Sequence, residues 1–225
     1  MCLILFAWRA KAGHPLVVAA NRDEFHARPA SQAAFWSDRP SILAGRDLEA
    51  GGTWMGVSRS GRFCAVTNYR GAREPRAAES RGALVSRFLE GDVAAAAYID
   101  ALREKAASYS GFNLLACDGG ELWWMSNRGG EPTRLEPGIY ALGNALLGAP
   151  DLDEAKGRFA DAIEAGLALE TLFEALAANR ILHPEYGTRC ATLLLEKESS
   201  LRYAERGFAE NGEERETVQF DLPRA

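Results

Sequence analysis

The chain has 225 residues, 47% of them hydrophobic and 25% charged, with a mean hydropathy of −0.20 and four cysteines, the first at position 2. That length suits a single domain over residues 1–225, whose fold would bury roughly 70% of the surface of the unfolded chain. Twenty-six basic against 31 acidic residues leave a net charge of −5, so no basic field is available for a phosphate backbone, and nucleic acid is not expected as a partner.

No apolar run approaches the roughly 18–20 residues that span a bilayer, and residues 1–8 lack the basic n-region and cleavage site of a leader. The chain reads as soluble and cytoplasmic, a setting in which disulfides are exceptional. Cys2, Cys64, Cys117 and Cys190, like His14, His26 and His183, lie too far apart for a short metal-ligand spacing. Neither a metal nor another cofactor is expected.

Residues 2–8 and 15–21 are short apolar, β-branched runs separated by a turn-rich stretch with Gly13, which predicts an antiparallel hairpin. Neither run alternates polar with apolar, so both faces should be covered. After a polar connection, strands are expected at 41–44, 53–58 and 62–68, with Gly51-Gly52 and Ser60-Gly61 supplying turns. Helical periodicity follows over 81–89 and 92–109, the second with Val93, Ala97 and Ala101 as its stripe and Asp92 as its cap.

Residues 111–118 and 120–127 predict another hairpin, and 138–144 a further strand. Helices return at 153–166, with Ala155, Phe159 and Ile163 on one stripe, and at 171–178. Strands near 189–195, 200–206 and 216–222 close the chain. This order, with helices segregated from hairpins, argues for an α+β fold with an antiparallel sheet core and helices packed outside.

Cys2 is unusual for its position. Once Met1 is removed, its thiol and the free α-amine belong to one residue, and the amine has an ordinary pKa of roughly 7.7–8.0. A nucleophile and a near-neutral base then come covalently linked, which is the logic of N-terminal nucleophile catalysis. The plain alternative is a small buried cysteine in an apolar strand.

The tetrad Asn21-Arg22-Asp23-Glu24 ends the second strand. A connection centred near position 12 places Arg22 opposite Cys2 on the same face, where a guanidinium favours thiolate over thiol. Asn68 and Asn144 each end a predicted strand; they are either turn residues or neutral donors to a developing oxyanion. Arg189 opens a strongly apolar strand, so its charge is expected at a sheet end, in a surface salt bridge or in the site.

Met1-Cys2, Ala20-Asn21-Arg22-Asp23-Glu24-Phe25, Gly51-Gly52-Thr53-Trp54, Thr67-Asn68-Tyr69, Gly111-Phe112-Asn113-Leu114, Asn127-Arg128-Gly129 and Gly143-Asn144-Ala145-Leu146 together resemble the NRDE family, which includes the transport and Golgi organisation protein 2 homologues. The resemblance runs from position 1 to at least Arg189. It implies an Ntn-hydrolase-like four-layer αββα sandwich of two antiparallel sheets flanked by helices, similar to penicillin V acylases and choloylglycine hydrolases, which cleave non-peptide amides with an N-terminal cysteine.

On that resemblance, Cys2 corresponds to the nucleophile, Arg22 to the first arginine, Asn68 and Asn144 to the oxyanion and amine-orienting asparagines, and Arg189 to the late arginine. The acylases place their aspartate three positions beyond the arginine, whereas Asp23 is adjacent to Arg22 here, and strand alternation sends neighbours to opposite faces. The expected activity is cofactor-independent hydrolysis of a small acylated amide. A non-catalytic carrier or sensor of an apolar ligand is the alternative, with Trp8, Phe25, Trp54, Trp123 and Trp124 as candidate cavity residues.

Overall fold

The computed structural model describes residues 2–71 and 79–223. In chain order the strands and helices are β1 (Leu3–Lys11), β2 (His14–Phe25), β3 (Ala30–Phe35), β4 (Ile42–Asp47), β5 (Met55–Ser58), β6 (Phe63–Asn68), α1 (Gly82–Glu90), α2 (Ala95–Arg103), β7 (Phe112–Cys117), β8 (Leu122–Ser126), β9 (Thr133–Arg134), β10 (Gly138–Leu142), α3 (Asp153–Glu164), α4 (Leu169–Ala177), β11 (Tyr186–Glu196), β12 (Ser200–Phe208) and β13 (Glu214–Pro223). They form two antiparallel sheets, in an α+β arrangement. The strand order is β10-β1-β2-β11-β12-β13 in one and β3-β4-β5-β6-β7-β8-β9 in the other. The chain divides into two compact units, one drawn from residues 1–28, 136–143 and 147–225, the other from 29–135 and 144–146.

The first unit holds the six-stranded sheet with α3 and α4. Leu3, Leu5, Ala7, Val17, Ala19, Ala191, Leu193 and Leu195 form a single apolar cluster with Ala155, Phe159 and Ile163 of α3 and with Leu172, Phe173 and Leu176 of α4. The stripe expected on α3 is the one observed. Residues on the opposite side of the pleat, among them Ile4, Phe6, Leu16, Val18, Cys190, Thr192 and Leu194, are buried as well. Coverage on both faces is why the first two strands read as unbroken apolar runs.

The second unit is a meander interrupted between β6 and β7 by α1 and α2. Leu84, Val85, Phe88 and Leu89 of α1 and Ala95, Ile99 and Leu102 of α2 pack on Ile42, Ala44, Cys64, Val66, Leu114 and Ala116 of the sheet. The stripe expected on α2 is wrong: Val93, Ala97 and Ala101 face solvent. Asp92 is not the cap either, because the helix starts later and the Ala95 N–H donates to Asp118 Oδ2 at 2.8 Å from the β7–β8 turn. A tertiary cap replaces the local one, and the buried face is rotated accordingly.

β3, read as a polar connection, pairs with β4 from the sheet edge and buries little of its surface, so its sequence carries a weak strand signal. The Gly51-Gly52 turn, by contrast, has a sharp physical cause. Gly51 takes φ of 75°, and a Cβ on Gly52 would stand 2.5 Å from the carbonyl carbon of Gly82 at the start of α1. Gly52→Ala is expected to destabilise the fold by about 1–3 kcal/mol, as overpacking against fixed backbone does, measured by urea denaturation.

Candidate functional site

Strand pairing between β1 and β2 sets Leu3 opposite Asn21 and Ile4 opposite Ala20. Cys2, one residue before β1, therefore continues the register opposite Arg22, as the sequence predicts. The connection is tighter than expected: strand pairing runs on to Lys11 and His14 past an irregularity at Arg9, where φ is 48°, and Gly13 closes the turn at φ of 76°. The irregularity lies at the far end of the hairpin, so it leaves the register at Cys2 untouched.

Arg22 is 6% exposed and, in the centre of the sheet, stands opposite Cys190 on β11. Its Nη2 lies 3.8 Å from Glu24 Oε2, which is also 3.9 Å from Arg28 Nε. The two charged neighbours in the tetrad thus have separate partners, since Asp23 turns to β11. Thr188 Oγ1 lies 2.6 Å from Asp23 Oδ1, and the same hydroxyl accepts the Ile181 N–H at 2.8 Å. With the Ile181 donor on the oxygen, the single hydroxyl proton is directed at the carboxylate. Asn21 serves structure instead, its Nδ2 donating to the Leu176 carbonyl at 3.1 Å near the end of α4.

The Cys2 thiol donates to the main-chain carbonyl of Asp23 at 3.5 Å. Asp23 thus meets the thiol through its backbone, while its carboxylate is held by Thr188. Burial first, and then the Asp23 charge, push the Cys2 thiol above its ordinary value; the Arg22 guanidinium acts in the opposite direction but is outweighed. The Arg22 guanidinium thus favours the thiolate, the direction expected of it, and burial outweighs it. Burial also raises the Asp23 carboxyl, against the Thr188 hydrogen bond.

Arg189 sits in a β-bulge, because β11 pairs Thr188 with Asp23 and then Cys190 with Arg22. Freed from the ladder, its Nη1 donates to the carbonyls of Phe25 at 2.9 Å and His26 at 3.0 Å, fixing the exit of β2. Burial and the nearby Arg22 charge lower its pKa. Cys2, Arg22, Asp23 and Arg189 thus gather at one end of the β1-β2-β11 ladder.

Asn68 and Asn144 belong to the second unit and meet there: Asn144 Nδ2 donates to the Asn68 carbonyl at 2.6 Å, and the Asn144 carbonyl accepts the Arg70 N–H. Sequence reading missed the side chain that supports them. Asn113, fully buried in β7, donates Nδ2 to the Ala145 carbonyl at 3.0 Å and to Thr67 Oγ1 at 3.2 Å. A lone amide inside the apolar run Phe112-Asn113-Leu114-Leu115 was its signal, because a buried amide needs partners. Thr188 and Tyr186 were likewise missed.

The remaining thiols Cys64, Cys117 and Cys190 are buried in strands, and burial raises the pKa of Cys64 and Cys190. The aromatic residues proposed to line one cavity do not all do so. Adjacent on β8, Trp123 and Trp124 point to opposite faces, Trp123 packs toward the helices, and Phe25 is 57% exposed.

A family model described as Transport and Golgi organisation 2 matches residues 1–184. The transport and Golgi organization protein 2 homolog of Bos taurus is 41% identical over 184 residues, covering 75% of this chain and 67% of the relative. Two solved structures share the fold. One is the Caenorhabditis elegans orthologue of N-acylethanolamine-hydrolyzing acid amidase, with TM-score 0.54, 11% identity and coverage of 86% of this chain and 92% of that one. The other is the C2A mutant of the conjugated bile acid hydrolase from Clostridium perfringens, with TM-score 0.59, 10% identity and coverage of 99% and 92%. Both have the Ntn-hydrolase fold, which is the fold expected from the sequence.

The charges around the thiol make a prediction with a definite sign. Asp23→Asn removes a negative charge that opposes ionisation and should lower the pH midpoint of Cys2 alkylation, and Arg22→Gln should raise it, each by about half a unit to one unit. Iodoacetamide labelling across pH, read at the Cys2 peptide by mass spectrometry, measures both.

Proposed function

The chain belongs to the Transport and Golgi organisation 2 family, and on that footing we propose that it is a cysteine hydrolase of the N-terminal-nucleophile type, cleaving the C–N bond of a small acylated amide. The observation that carries this reading is the hold on Cys2: a thiol at the second position, hydrogen-bonded to Asp23 and in register with the buried Arg22. That the fold is shared with an acid amidase and a conjugated bile acid hydrolase supports the reaction class.

Met1, on whose removal the mechanism depends, lies outside the described residues. Once it is cleaved, the freed α-amine of Cys2 takes the thiol proton, directly or through a water, as sulfur attacks the amide carbonyl carbon. Main-chain N–H groups hold the tetrahedral oxyanion, and Arg22 orients the sulfur. The proton then passes to the leaving nitrogen, the C–N bond breaks, and water hydrolyses the thioester to acid and free thiol. A resting thiol fits this sequence better than a resting thiolate, since the proton needed by the leaving amine is carried into the reaction. Asp23 and Arg189 maintain the geometry at the end of β2. Among the described residues no helix is long and apolar enough to cross a membrane, and we take the setting to be cytoplasmic, which suits free thiols.

Incubation of the processed protein with a library of amides and acyl esters should give a mass increase equal to one acyl group on Cys2, followed by turnover. Cys2→Ala should abolish the adduct and reduce hydrolysis by about 1,000-fold or more, to background. Retention of Met1 in the native protein, or ligand binding unchanged in Cys2→Ala with no adduct in the wild type, would overturn the hydrolase reading; the second result favours a carrier.

A further inference from the structure

One carbonyl oxygen on β2 serves two donors. Cys2 Sγ reaches the main-chain oxygen of Asp23 at 3.5 Å, and the Tyr186 hydroxyl donates to the same oxygen at 3.2 Å. A carbonyl has two lone pairs, so both bonds can be made at once. Tyr186 itself is fixed from two further directions. It pairs with Phe25 across the β2–β11 ladder, and the two rings meet edge to face at 5.2 Å and 77°. Two positions along β11, Thr188 holds the Asp23 carboxylate. Alternate residues of one strand therefore fasten the main chain and the side chain of the residue that anchors the thiol.

We propose that Tyr186 is a positioning residue for Cys2, its hydroxyl loading the Asp23 carbonyl so that the thiol is oriented without being tightly bound in its protonated form. The inference rests on the reading of Cys2 as the nucleophile. The chemistry gives its sign. With the hydroxyl gone, the carbonyl has one donor fewer, the S–H···O bond strengthens, and ionisation becomes harder. A second effect runs the same way: a hydroxyl that touches the same oxygen as the sulfur can turn toward the thiolate as it forms, and the bare phenyl ring left by Tyr186→Phe could not.

The test uses the full chain as wild type, Tyr186→Phe and Phe25→Leu, with Cys2 alkylation by iodoacetamide followed across pH at the Cys2 peptide. Thermal melts and labelling of the buried Cys64, Cys117 and Cys190 report on folding. Tyr186→Phe should raise the midpoint by about half a pH unit, and so slow labelling about threefold below the midpoint, as expected for loss of one weak hydrogen bond. Phe25→Leu removes the ring partner but keeps the hydroxyl, and should leave the midpoint in place. A Tyr186→Phe midpoint equal to wild type, or equal shifts in both variants, overturns the proposal. Alkylation needs no substrate, so this result is independent of whether an amide is ever turned over: failure here leaves the hydrolase reading intact, and failure to find turnover leaves the role of Tyr186 to be decided by its own midpoint.

Discussion

The pairing of β2 with β11 is the constraint on which the site depends. Arg22 and Asp23 are adjacent and both buried, and an isolated charge away from water costs several kcal/mol unless it is partnered. A regular ladder would offer both the same kind of environment on alternating faces. The one-residue bulge at Arg189 lets Thr188 meet Asp23 and Cys190 meet Arg22, and it releases Arg189 to bind the carbonyls beyond β2. One irregularity thus supplies the carboxylate with a donor and holds the strand end that carries it.

Cys2 inherits its character from that arrangement. An arginine opposite a cysteine suggests an activated thiolate, and from residue types alone that conclusion is reasonable. Geometry reverses the balance, because burial penalises the anion and the Asp23 charge adds to the penalty. The result is a thiol oriented by a main-chain acceptor, whose ionisation burial makes harder. Such a group needs a base delivered to it, and the only base that processing would create is the α-amine of the same residue.

Much of this was legible in the sequence. The hairpin could be registered because its apolar runs are unbroken and its irregularity lies at the turn, so counting from the centre put Arg22 opposite Cys2. The stripe of α3 was legible because that helix is amphipathic in the simplest way. The stripe of α2 was not, because its start is set by Asp118, more than twenty residues downstream. β3 escaped notice as an edge strand with little to bury, and the partners of Asp23 because Tyr186, Thr188 and the bulge at Arg189 are defined by pairing across more than 160 residues. Local pattern reports local causes, and the site is built from distant ones.

The tetrad that gives the family its sequence signature is best understood as four separate tasks. Asn21 caps the end of a helix, Arg22 faces the thiol, Asp23 anchors it through the backbone, and Glu24 bridges Arg22 to Arg28. Asn21 and Glu24 are defined by what they hold in place, whereas Arg22 and Asp23 also act on the sulfur through their charges, in opposite directions. The motif is therefore a device for ending a buried strand with its polar groups held, and the chemistry proposed for Cys2 uses the rigidity that this creates. Any ligand that reaches the thiol meets a group whose surroundings were fixed by folding, which is the condition under which preorganised groups are worth most.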